Sequence, residues 1–209
     1  AGPISIYGGT ITVTGNLTST ADGDIFIKGI SENNPTIAAH SSIIKSGGTG
    51  TLTMQGHARV SNSGNITTSG TGVLNVVMWS DFDNDNNDGG VSLGGTVSTN
   101  GGHVWLGGSN SNGGSYIWNG LTVGDGPSIG SLNYNFNGLD FYGDISTNGG
   151  DILAWAGNGV SGDGQGVTTD TNGMSLNLGS GNATFISDGI FSAGGGNITL
   201  TSTGKLTLA

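Results

Sequence analysis

The chain has 209 residues, of which 44 are Gly, 3 are Pro and none is Cys, and only 9% are charged, against about 25% charged and 7% Gly in ordinary globular domains. Its formal charge of −10 sets 13 Asp and Glu32 against Lys28, Lys45, Arg59 and Lys205, which argues against nucleic acid and anionic membranes as partners, since both need clustered Lys and Arg. The missing cysteine excludes disulfides and thiolate metal sites, and no run reaches the roughly 18 apolar residues of a membrane helix, so membrane insertion is not expected.

Along the chain, short alternating apolar bursts sit between Gly- and Asn-rich turns. The segment Ile4-Ser5-Ile6-Tyr7 already reads as a strand, and AGPISIYGG lacks the basic and apolar regions of a signal peptide. Taking an apolar residue before each Gly-rich turn gives eight anchors: Leu17, Ile44, Ile66, Val97, Leu121, Ile145, Val167 and Ile190. A glycine follows five or six residues after most of them, and apolar pairs then occupy the second and fourth positions beyond it. Ile25 and Ile27, Leu52 and Met54, Leu74 and Val76, Val104 and Leu106, Ile152 and Ala154, and Ile198 and Leu200 are these pairs. Side chains alternate across a strand, so each pair points inward. Two copies depart: Met174, Leu176 and Leu178 are out of phase, read as a changed turn length, and Leu121 leads to Pro127, read as an insertion around residues 124–131. Lys205-Leu206-Thr207-Leu208 ends the sequence as another strand in mid-repeat, with no polar capping repeat at either end. Such ends are expected of a piece cut from a longer repetitive chain, and they predict end-to-end association through open strand edges.

A period in the low twenties, with several short strands per copy and no helical pattern, predicts a parallel β-solenoid. The expected fold is all-β, a right-handed parallel β-helix of eight to nine coils spanning 1–209 as one segment, about 40 Å long at the interstrand spacing. The phrase Ser98-Thr99-Asn100-Gly101-Gly102 returns as Ser146-Thr147-Asn148-Gly149-Gly150, and the alignment places the two as equivalent corners two coils apart.

Three stretches, SAGGGNITLTSTGKLTLA at 192–209, GNITTSGTGVLNVV at 64–77 and GNLTSTADGDIFIKG at 15–29, resemble the repeats of filamentous-haemagglutinin-type exoproteins. That resemblance implies a right-handed β-helical shaft of a large bacterial two-partner-secreted protein, outside the cell or on its surface. It implies adhesion to a glycan or protein on a host or neighbouring cell, with flanking repeats of the same parent chain as further partners. The Asn-Pro-Asn phrases of the family's secretion domain are not matched by Asn34-Pro35. A shaft carries no catalytic residues to transfer.

The most charged stretch, residues 80–90, lies in the longest interval between anchors and reads as an acidic loop insertion projecting from the rod. Asp81, Asp83, Asp85 and Asp88 are spaced like carboxylates around one calcium ion, although Asn86 and Ser92 depart from the EF-hand pattern. The other reading is a solvated Asx-rich turn, and no cofactor is required by the fold. Trp105 and Trp155 sit at odd positions of their strands and are expected to face outward. With Trp118 and Tyr134 and their Asn-rich neighbours they form the candidate ligand-binding set, because aromatic rings give large contact area at small entropy cost. The other reading of these rings is packing, as a ladder or against a neighbour. His40, His57 and His103 fall on different coils and are expected to act singly. An enzyme is not expected: Lys45 and Arg59 are isolated cations, and the paired carboxylates that glycoside hydrolysis needs occur only in the acidic loop. A polysaccharide-degrading β-helix and a plain spacer are the alternatives to an adhesive rod.

Overall fold

The computed structural model describes residues 2–30, 36–37, 41–85, 89–130, 138–157, 165–169, 174–187, 190–192, 198–202 and 204–208. Over these residues the fold is all-β, a parallel β-solenoid with no helix. The first sheet holds eight strands: Ile4–Gly8, Ile25–Gly29, Thr49–Gly56, Val73–Trp79, Val104–Gly107, Ile152–Ala156, Ala183–Ser187 and Leu206–Leu208. A second sheet runs from Thr12–Val13 to Ile190–Ser192, and a third from Leu17–Ser19 to Ile198–Ser202. Each strand pairs in parallel with its counterpart one coil away, as in Ile25 opposite Leu52 and Val104 opposite Ile152.

The expected inward pairs from Ile25 through Ala154 are buried in one continuous core. Strict alternation along each strand places Leu52, Val76, Val104, Ile152 and Ala183 in a single stacked column. No coil could bury this surface alone. Stacking removes it from water at about 25 cal/mol per Å².

The register corrects several anchors. The true column of the third sheet is Leu17, Ile43, Ile66, Val97, Ile145, Leu176 and Leu200. Ile44 is therefore off by one, and Val167 and Ile190 belong to the second sheet. Leu176 is an anchor itself, so its apparent phase slip is a strand of a different sheet. Val97 pairs directly with Ile145, which makes the two Thr-Asn-Gly-Gly corners neighbours on successive coils.

Leu121 explains that error, because it lies outside the solenoid in an antiparallel hairpin, Ser115–Trp118 with Leu121–Gly124. The hairpin lengthens one coil enough to look like two. Its turn is Asn119-Gly120, with φ of 48° and 79°, the left-handed pair that a two-residue hairpin turn demands.

The repeated phrase has a physical reason at each position. Thr99 and Thr147 are buried, and their hydroxyls donate to the carbonyls of Gly102 and Gly150. Asn100 and Asn148 take φ of 52° and 53°, and the Asn148 amide donates to Asn100 Oδ1 at 3.2 Å. A Cβ on Gly150 would lie 2.0 Å from the Gly102 carbonyl oxygen, so the coils can approach there only as glycine.

Candidate functional site

The outward positions of the first sheet change character along the stack. Val77, Trp105 and Leu153 form one outward column in the middle coils, with Trp79 beside it. Bare, this would be an apolar patch. The hairpin lies over it, and Leu121 and Val123 join these residues in a second core, with Tyr116, Trp118 and Phe82 packed at its margin. Trp79 Nε1 donates to Ser109 Oγ at 2.7 Å. The hairpin base is closed by Asp125, which accepts from the Asn110 N–H at 2.8 Å and the Ser111 hydroxyl at 2.6 Å. Burial works to raise the Asp125 pKa, but these donors hold it below the ordinary value.

Trp105 therefore points away from the coil interior, as its phase requires, yet it is 0% exposed. The expectation that it offers an exposed ring is corrected, since the hairpin insertion covers it. The signal for that cover was present as Trp-Asn-Gly-Leu at 118–121, an Asn-Gly pair flanked by apolar residues. Trp118 is half-buried on the hairpin, edge-on to the His103 ring at 5.7 Å and 73°. Trp155 is outward and half-buried on a solenoid strand, while Tyr134 lies outside the described residues. The three described aromatic candidates are thus not one exposed platform.

Beside Trp118 the hairpin and the neighbouring coils form an open cleft of about 360 Å³, whose lining includes Trp118, Asn119, Asp151, Asn182, Thr184, Lys205 and Thr207. Its polar groups belong to a ladder. Just before the inward column Ile25, Leu52, Val76, Val104, Ile152, Ala183 and Leu206 of the first sheet, five side-chain acceptors each take the backbone N–H of the equivalent residue one coil later. Asp24 accepts from Thr51, Asn75 from His103, His103 from Asp151, Asp151 from Asn182, and Asn182 from Lys205, at 2.7 to 2.9 Å. Every backbone amide needs a partner, and here side chains supply it. Asp151 Oδ2 also accepts from Asn119 Nδ2 at 2.7 Å, which ties the hairpin turn to the rod. Burial works to raise the Asp151 pKa, but the Asn182 N–H, the Asn119 and Asn182 amides and His103 together hold it below the ordinary value.

The acidic stretch is less solvated than expected. Ser80 and Asp81 are 0% exposed, because the chain folds back on the preceding coil: the Asp81 N–H donates to Ala58 O at 3.1 Å and the Phe82 N–H to Gly56 O at 3.3 Å. The projecting loop is corrected to a clamped one over residues 80–85. Asp81 Oδ1 accepts from the Asp85 N–H at 3.2 Å, a turn-closing role inside the fold. Asp88 lies outside the described residues. Asp83 and Asp85 meet a residue that the spacing argument left single: His57 Nε2 is 3.1 Å from Asp83 Oδ2 and 3.6 Å from Asp85 Oδ2. Lys28 Nζ stands 3.6 Å from the centroid of the Phe82 ring; desolvation lowers its pKa, against the opposing pull of Asp83.

Lys45, an isolated cation in sequence, is 0% exposed and holds a corner together, its ammonium donating to Ser19 Oγ, Ala21 O and Gly23 O. No family model, curated protein or solved structure matches this chain.

Proposed function

We propose that the chain is a rigid binding segment of a large bacterial surface or secreted adhesin, a right-handed β-helix of eight to nine coils that attaches to a glycan. The observation that carries this reading is the cleft beneath Trp118, where an aromatic ring stands beside Asn119, Asp151, Asn182 and two outward threonines. Sugars are held by an aromatic face against their C–H surface and by fixed amide, hydroxyl and carboxylate groups against their hydroxyls. The ladder fixes Asp151 and Asn182 through the backbone before any ligand arrives, so little ordering entropy opposes binding. The likeness of 192–209, 64–77 and 15–29 to haemagglutinin-type repeats supports an extracellular shaft, and repetition in a longer parent chain would add avidity to weak single contacts. We read the segment as non-catalytic, with a host or neighbouring-cell glycan or protein as its partner and flanking repeats on either side.

The test is retention of the purified chain on an array of host and bacterial surface glycans, with release of products followed in parallel. The expected result is retention without products, lost in Thr184→Trp, which puts a large ring into the cleft lining, and weakened about tenfold in Lys205→Ala, about 1.4 kcal/mol. Retention that survives both substitutions would rule out the cleft as the attachment site, and released sugars would replace the adhesin reading with the polysaccharide-degrading one.

A further inference from the structure

We infer that His57, Asp83 and Asp85 bind one divalent first-row transition ion such as Co²⁺ or Zn²⁺, independently of glycan attachment. Three donor atoms from two separate segments converge here, one per residue and all within 4.8 Å of one another. Metal–ligand bonds of about 2.0–2.2 Å place neighbouring ligands about 3.0 Å apart at right angles and about 3.5 Å apart in a tetrahedron. The His57 Nε2 distances to Asp83 Oδ2 and Asp85 Oδ2, 3.1 and 3.6 Å, match that range.

The ligands are positioned by bonds that use no ion. Gly56, where a Cβ would lie 2.5 Å from the Arg59 carbonyl oxygen, forms the tight turn that presents His57. The carbonyls on either side of His57, Gly56 O and Ala58 O, receive the Phe82 and Asp81 N–H groups, which clamps the acidic turn over the imidazole. Phe82 then packs edge-on against His57 at 6.5 Å and 81°. From the other side, Asn84 Nδ2 donates to Asn110 O at 2.8 Å, fixing the residue between the two carboxylates.

A separate observation points to a cation. Asp83 Oδ1 is buried and has no hydrogen-bond partner, an arrangement that is costly for a carboxylate oxygen unless a positive charge faces it. Lys28 already acts on Asp83 electrostatically, and a bound ion would add positive charge on the side of the carboxylate pair that faces His57. The donor set selects among ions. One imidazole with two carboxylates suits Zn²⁺, Co²⁺, Ni²⁺ or Mn²⁺, whereas Ca²⁺ takes six to eight oxygens. The calcium expected from the aspartate spacing is thereby revised in ion and in ligands, with His57 in and Asp81 turned to closing the loop.

The test is titration of the chelator-treated full chain with Co²⁺, read by visible absorption and by calorimetry. One ion per chain is expected, with a ligand-field spectrum. Its affinity should fall at least about tenfold in both His57→Ala and Asp85→Asn, while circular dichroism stays unchanged. Asp85→Asn is the second variant because it keeps the shape of the loop should the histidine change loosen it. Absence of saturable binding at millimolar Co²⁺ would overturn the inference, as would binding that survives His57→Ala. Competition by Ca²⁺ as effective as by Zn²⁺ would also overturn it, since that would assign the site to oxygen donors alone.

Discussion

Replacing Trp105 by alanine separates a packing role from a binding role for the central aromatic residue. Trp105 is 0% exposed, sits edge-on to Trp79 at 6.4 Å and 74°, and is enclosed by Val77, Leu121, Val123 and Leu153. A buried tryptophan removes roughly 150–250 Å² from water, worth about 4–6 kcal/mol at 25 cal/mol per Å². Residual compactness of the unfolded chain reduces that by about 10–40%. Working the other way, the buried Trp105 Nε1 has no acceptor, a penalty of about 1–3 kcal/mol that the wild type already carries and alanine would relieve. At the midpoints the balance is a loss of about 2 kcal/mol, to which the cavity left behind adds. Trp105→Phe should cost well under half as much, because it keeps a ring and deletes the orphaned N–H. Guanidinium unfolding followed by far-ultraviolet circular dichroism measures both variants. An alanine variant within about 0.5 kcal/mol of wild type, the scale of ordinary surface changes, would show that the hairpin does not seal this face, and the reasoning about the second core would fail.

Gly150→Ala should cost about 3 kcal/mol or more by urea unfolding, as overpacking against a backbone that cannot yield, since its Cβ would meet the Gly102 carbonyl oxygen at 2.0 Å. Gly15→Ala, with nothing within 4 Å of the added Cβ, should stay within about 0.5 kcal/mol, and equal effects at the two sites would refute the close-approach argument. Asp151 has a folded pKa held below its ordinary value despite the opposing effect of burial. Its contribution is therefore present above the ordinary carboxylate pKa of about 3.9 and is lost as pH falls through the lower folded value. Wild type should thus lose melting temperature more steeply than Asp151→Asn on acidification below about pH 4, and parallel pH profiles would show that the ladder bonds do not depend on that charge.

The sequence was most informative where a residue's role repeats. The inward pairs from Ile25 to Ala154 could be read because alternation within a strand and stacking between coils impose the same choice at each turn. The anchors failed where one coil carries an extra element: Leu121 has an apolar residue's spacing but sits in a hairpin, so distance along the chain ceased to measure coils. Trp105 shows the same limit for function. Its outward phase was legible, whereas its cover, supplied by Leu121 and Val123 from a later segment, is a long-range packing fact that a strand pattern does not encode. His57 carries no local signal, because its partners Asp83 and Asp85 lie about 26 positions on and only the fold brings them within reach.

The polar residues of this solenoid divide by what their atoms already do. Stacking parallel coils leaves a row of backbone N–H groups beside the first sheet's inward column, and Asp24, Asn75, His103, Asp151 and Asn182 each spend one acceptor on that row. An aspartate or histidine in such a column is explained by its place in the stack, and a catalytic or metal reading of it alone has no support. Chemistry must come from groups that the ladder leaves over. Two places qualify. At one, the hairpin brings Asn119 and Trp118 over the ladder's last rungs, adding an aromatic wall and an amide where coils alone would present a flat polar face. At the other, a loop clamped by the carbonyls flanking His57 aims two carboxylates at its ring, and none of those three side chains appears in the ladder. Both are made by segments added to a regular coil. In this solenoid the repeats supply the core and the register, and the departures from them carry the candidate chemistry.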